Sequence, residues 1–134
     1  MAKQYRTREG EATAVDTKSQ LSTLGSESAP GPLLVPAGVS KLVEIIVAVS
    51  QNFAAATSFS AFIRLEGAGL PGGPETFAIG AGGAAVATGG NNANVAFKIP
   101  VDVTVTPANE ILMFAEMAGT DIGQLSTAVT LVFA

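Results

Sequence analysis

The stretch "NVAFKIPVDVTV", residues 94–105, alternates without a break. Val95, Phe97, Ile99, Val101, Val103 and Val105 fall on one side, and Ala96, Lys98, Pro100, Asp102 and Thr104 on the other. Only an extended strand puts residues two apart on one face, so this is a half-buried β-strand, with its proline suited to a sheet edge or a bulge. The same period governs most of the chain. "SFSAFIRLEG" sets Phe59, Ala61, Ile63 and Leu65 against Ser60, Phe62, Arg64 and Glu66, and "STAVTLVFA" lines up Thr127, Val129, Leu131 and Phe133. "KLVEIIVAVS" and "EILMFAEMAG" are apolar on both faces, as strands covered on both sides are. Between the runs stand the turn signals "PAG", "EGAGLPGGPE", "GGNNAN", "TPANE" and "AGTDIG". Six to eight short strands with no helical run predict an all-β fold, an antiparallel β-sandwich of the jelly-roll kind.

The composition changes near Pro30. Residues 1–29 are polar, and their aliphatic residues Val15, Leu21 and Leu24 follow no period. Lys3, Arg6, Arg8 and Lys18 are four of the seven basic residues in the chain. So polar a segment buries too little apolar surface to order itself. The expectation is an extended N-terminal arm, residues 1–29, held by neighbouring copies or packed on its own domain, followed by a sandwich domain over residues 30–134. In "APGPLLVPAG" Pro30, Pro32 and Pro36 exclude a helix and favour an extended lead into the first strands.

The segment "FAIGAGGAAVATGG", residues 77–90, raises a dinucleotide-binding alternative. Gly80, Gly82 and Ala85 fit the G-x-G-x-x-G/A pattern, and Asp102 lies where a ribose-binding carboxylate would be sought. That site needs a helix after the glycines, and only "AAVAT" is available before Gly89, Gly90, Asn91 and Asn92 stop it. The strand that follows alternates, whereas a central parallel strand is apolar on both faces. No cofactor is therefore expected. Residues 67–90 hold nine of the fifteen glycines, and through Asn94 the only charge is Glu75. The stretch reads either as a surface loop or as a side-chain-poor segment lying flat against another subunit. On the second reading Gly80, Gly82, Gly83, Gly89 and Gly90 join Tyr5, Arg6 and Arg8 as candidate subunit-contact residues, Tyr and Arg being favoured interface anchors.

Catalytic chemistry finds little to work with. Cysteine, histidine and tryptophan are all absent from the 134 residues, which removes thiol and imidazole catalysis and the usual zinc ligands. A glycosidase carboxylate pair would lack aromatic sugar platforms, and Asp121 in "AGTDIGQ" is one carboxylate where calcium wants six to eight oxygens. Glu44 and Glu116 stand out within apolar strands, with Lys41, Arg64 and Lys98 as the cations able to pair with them. No enzyme and no metal site is expected. Charged residues make up 13% of the chain, about half the ~25% of ordinary soluble domains, and the net charge is −4. The acidic balance argues against nucleic-acid binding through the folded part, and a surface so poor in charge suits one covered by neighbours. No apolar run reaches the ~20 residues of a membrane span, and the opening shows no secretory signal.

The arm "MAKQYRTREGEATAVDTKSQ", the lead "PGPLLVPAGVSKLVEIIVAV" and the closing strand "STAVTLVFA" together give an architecture that resembles the small jelly-roll coat proteins of icosahedral viruses and related virion shell or decoration proteins. The resemblance implies a self-assembling structural protein of the virion, made in the host cytoplasm, with copies of itself and other virion proteins as partners. Genome-packaging arms are usually far more basic, and here Glu9, Glu11 and Asp16 offset the four cations of residues 1–18. This departure weakens any nucleic-acid role for the arm and points instead to an arm that ties subunits together. Two other classes remain open: a non-viral filament or tube subunit, and a ligand-binding β-sandwich module.

Overall fold

The computed structural model describes residues 2–12, 19–21, 32–52, 58–79, 86–87, 92–118 and 124–134. Its elements are β1 (Gln4–Ala12), β2 (Ser19–Gln20), β3 (Leu33–Leu34), β4 (Lys41–Asn52), β5 (Ser58–Glu66), β6 (Glu75–Ile79), β7 (Val86–Ala87), β8 (Asn92–Thr104), β9 (Glu110–Ala118) and β10 (Gln124–Phe133). Among the described residues there is no helix. The strands form two antiparallel sheets, one in the order β1-β10-β4-β8 and one in the order β2-β9-β5-β6, with β3 on β9 and β7 on β5. The pairs β1·β10, β2·β9, β4·β8 and β5·β6 are nested, the outermost joining the most distant segments of sequence. β10·β4 and β9·β5 then join these pairs side by side.

Alternation explains how the sheets meet. Ile45, Val47 and Val49 of β4 and Val129, Leu131 and Phe133 of β10 turn inward from the first sheet. Ile63 and Leu65 of β5 and Ile111, Met113 and Ala115 of β9 turn inward from the second. All join one buried cluster, against which Phe77, Phe97, Ile99, Val101 and Val103 pack with part of their surface open. Each fully buried aliphatic side chain contributes ~1.5–3 kcal/mol.

The period breaks once, near Glu44, and the break is a bulge. From Val132 to Phe133 is one step on β10. The matching interval is Leu42 to Glu44 on β4 and Pro100 to Val103 on β8. Each strand outward from β10 carries one more residue, which bends the sheet there. The expected place for Pro100, an edge strand beside a bulge, is where it stands.

One end of the molecule is closed by main chain. Val105 N–H donates to Ser40 O, Gly69 N–H to Glu110 O, and Thr106 N–H to Gly69 O, so the turns after Val35, Glu66 and Thr104 knit the two sheets together. Gly67 has φ +122°, and a Cβ there would collide with the Glu110 carbonyl. At Gly69 a Cβ would lie 2.8 Å from Ile111 and 2.9 Å from Val35.

Two expectations change, and of the two placements expected for the N-terminal segment the one on its own domain is seen. Residues 67–90 are not one loop: 67–73 is this packed turn and 75–79 is β6, paired with β5 from Ala61↔Ile79 to Leu65↔Glu75. The turn expected at "GGNNAN" gives way to strand from Asn92 onward. Within the segment expected as an arm, residues 4–12 pair with β10 of the same chain, and Leu21 is wholly buried in the core. β1 escapes a period-two reading because its inward positions include Gln4, Arg6, Arg8 and Gly10, opposite Phe133, Leu131, Val129 and Thr127.

Candidate functional site

The expected contact residues divide. Gly80, Gly82, Gly83, Gly89 and Gly90 lie outside the described residues, as does Asp121. Tyr5, Arg6 and Arg8 sit together on β1, at the edge of the first sheet. Tyr5 is 56% exposed, opposite Val132 on the outer face. Arg6 and Arg8 fall on the inner side, opposite Leu131 and Val129. Each guanidinium donates to the carbonyl of the residue before it, Arg6 to Tyr5 and Arg8 to Thr7, both at 2.8 Å. Arg8 also reaches across to the Pro32 carbonyl at 3.4 Å. Burial, then the like charge of Arg6, holds the Arg8 guanidinium below its ordinary value. An arginine stays protonated across the usable pH range, so the strain is one of desolvation and repulsion and adds no titration near neutrality.

β1 meets the rest of the molecule at two further points. Thr7 Oγ1 and Thr130 Oγ1 share a hydrogen bond of 2.8 Å across the ladder. Gly10 lets Leu21 lie close: a Cβ there would be 3.1 Å from the Leu21 side chain. Leu21 is itself fixed by its N–H to Met113 O at 2.8 Å.

The outer faces of the sheets carry the remaining features. On the second sheet Arg64 and Glu116 lie diagonally across β5 and β9, with Phe62 and Phe114 on the opposite diagonal. Arg64 Nε and Nη2 donate to the same Glu116 oxygen at 3.1 and 2.9 Å, with side chains 39% and 14% exposed. This resolves one of the two odd carboxylates as an ion pair. Glu44, the other, is half-buried and turned outward, between Val132 and Pro100 in the register. Lys41 pairs with Asp102 at 3.0 Å. On the first sheet the outward row includes Ile46 and Ala48, and beside β9 Leu34 is 59% exposed.

The dinucleotide alternative is not met by this geometry. Asp102 lies near the end of β8, but β8 runs antiparallel to β4, and such a site needs a carboxylate at the end of a parallel strand. Among the described residues no group of three or more carboxylates is placed to hold a metal, and no helix is long and apolar enough to cross a membrane. What the arrangement offers is surface: a charged edge strand with Tyr5 exposed on it, and sheet faces bearing aliphatic and aromatic side chains. No protein-family model matches the chain, and no curated protein matches its sequence.

Proposed function

We propose that this chain is a jelly-roll structural subunit that assembles with copies of itself into a closed shell, of the kind that forms a virion coat or surface. The observation that carries this reading is the strand order. Four nested antiparallel pairs, β1·β10, β2·β9, β4·β8 and β5·β6, are rolled so that β10 lies beside β4 and β9 beside β5, giving a four-stranded layer and a second one to which the short β3 and β7 add. That is how one long hairpin wraps into a jelly roll, an architecture shared by capsid, lectin and cupin domains.

Fold does not fix function, so the choice among these rests on the surface. Half-buried Ile46, Phe62, Leu112 and Phe114 face outward from the sheets, in a chain with only 13% charged residues. Burial of about 800 Å² per partner at such faces makes a specific contact, and repeated unlike contacts close into a shell. β1, carrying Tyr5, Arg6 and Arg8, lies where it can tie one subunit to the next.

Light scattering on the purified full chain, followed by electron microscopy, tests this. Uniform closed particles are expected, and Phe114→Arg is expected to dissolve them while circular dichroism stays that of a β protein. Helical filaments or tubes would favour the structural-subunit alternative. A monomer at high concentration would overturn assembly altogether.

A further inference from the structure

We infer that β1 is an exchangeable strand: in the assembled state β1 of one copy occupies the place beside β10 of a second copy. The reading rests on the proposed assembly only in needing neighbours held in contact.

The attachment of β1 to its own domain is unusual for a nine-residue strand. Among the described residues no side chain of β1 belongs to the buried apolar cluster, and β1 meets it at Gly10, against which Leu21 lies. Over Gln4–Gly10 its inward positions are a glutamine, two arginines and a glycine, so apolar side-chain burial contributes little. What holds the strand is polar: its ladder to β10, the Thr7–Thr130 hydrogen bond and the reach of Arg8 to Pro32 among them. Regions with few buried apolar contacts open at a small fraction of the global unfolding free energy.

The site it vacates is the reverse. Val129, Leu131 and Phe133 of β10 are completely buried. Loss of β1 turns a central strand into an edge with unpaired main-chain groups beside core residues, a site that must be refilled. Residues 4–12 of another copy refill it in the same register, with every contact reproduced. In a dilute monomer the tethered strand is at the higher effective concentration and stays home. Between copies packed together that advantage falls away.

Leu21 sets the boundary of the exchanging unit. It is wholly buried and bonded to Met113 O, and Ser19 and Gln20 pair with Ala115 and Phe114, so the chain from Ser19 onward stays put. From Ala12 to Ser19 the backbone spans at most about 25 Å fully extended. The acceptor β10 therefore belongs to a copy that meets this one along the β1–β2 side of the molecule.

The chain contains no cysteine, which permits a clean test. Thr7→Cys and Thr130→Cys are introduced together at a directly opposed pair. Isotope-labelled and unlabelled subunits are mixed before assembly, oxidised and digested. Exchange predicts disulfides between positions 7 and 130 that join a labelled to an unlabelled peptide, in about half of all bridges for random neighbours. Bridges confined to single chains would overturn it, as would the absence of any such bridge. The pair Glu9→Cys/Ala128→Cys, opposed further along the same ladder, gives the same readout should the first variant fail to fold. Light scattering on the same samples separates the two ideas. Large particles with only single-chain bridges sink exchange and leave assembly standing, and a monomer sinks assembly.

Discussion

Thr127 sits among Gly10, Val49 and the rest of the inner face with 3% of its surface exposed, and among the described residues its Oγ1 is the buried side-chain oxygen with no hydrogen-bond partner. A desolvated hydroxyl without a partner costs ~1–3 kcal/mol. Thr127→Val keeps the shape and removes the cost, so denaturant unfolding is expected to show a gain of ~1 kcal/mol. Ala108 is a second residue at odds with its place, with φ 66° after Pro107 in the turn whose Asn109 N–H donates to Thr106 O. Proline followed by a positive φ is the type II pattern, and the second position favours glycine. Ala108→Gly relieves ~1–2 kcal/mol of strain against up to ~1 kcal/mol of added chain entropy, so its effect on the melting temperature is expected to be neutral to slightly stabilising. The Arg64–Glu116 pair behaves differently. Glu116 is largely covered, so Arg64→Met alone leaves a poorly hydrated carboxylate and is expected to destabilise by ~2 kcal/mol. Arg64→Met with Glu116→Leu should recover part of that loss in a double-mutant cycle. A larger loss in the double variant would mean the pair is not what holds Glu116.

At the level of elements, the turn over 67–73 separates glycines that are needed from one that is not. Gly67→Ala forces a side chain against Glu110 at a positive φ and is expected to cost ~1–3 kcal/mol. Gly72 faces open space, and Gly72→Ala is expected to stay within about 0.5 kcal/mol of the parent in the same unfolding measurement. β8 was legible from its residues because its inner face is apolar throughout while Lys98, Asp102 and Thr104 mark the outer one. β4 was legible as a strand, but Glu44 looked misplaced, since a sequence does not reveal that a bulge shifts the period by one. β6, "ETFAI", was hidden by the glycines and prolines on either side, which the composition of the whole stretch averages away. β1 was hidden for the opposite reason: "QYRTREGEA" has no apolar face, and only its partner β10 makes it a strand. That difference is measurable, because amide hydrogen exchange across β1 is expected to be much faster than across β4. Equal protection in the two strands would contradict a weakly held β1.

For the whole molecule, the alternation of residues carried the all-β, two-sheet architecture, whereas the strand order came from pairings that no local pattern reports. Of the expected contact residues on β1, identity could be read from the sequence but orientation could not, since nothing in "YRTR" tells that Arg6 and Arg8 face inward at a sheet edge while Tyr5 faces out. The order of strands also bears on how the molecule comes to exist. β10 lies between β1 and β4, bonded to both, and the Thr7–Thr130 contact closes a separation of 123 residues. Until β10 is synthesised, β1 and β4 have no common partner, and the core lacks Val129, Leu131 and Phe133. Such long-range closures place a chain among the slow folders, on the scale of milliseconds to seconds. The first sheet is thus zipped from its middle by a strand made after its three companions, and the ribosome holds back the finished shape until that strand has emerged.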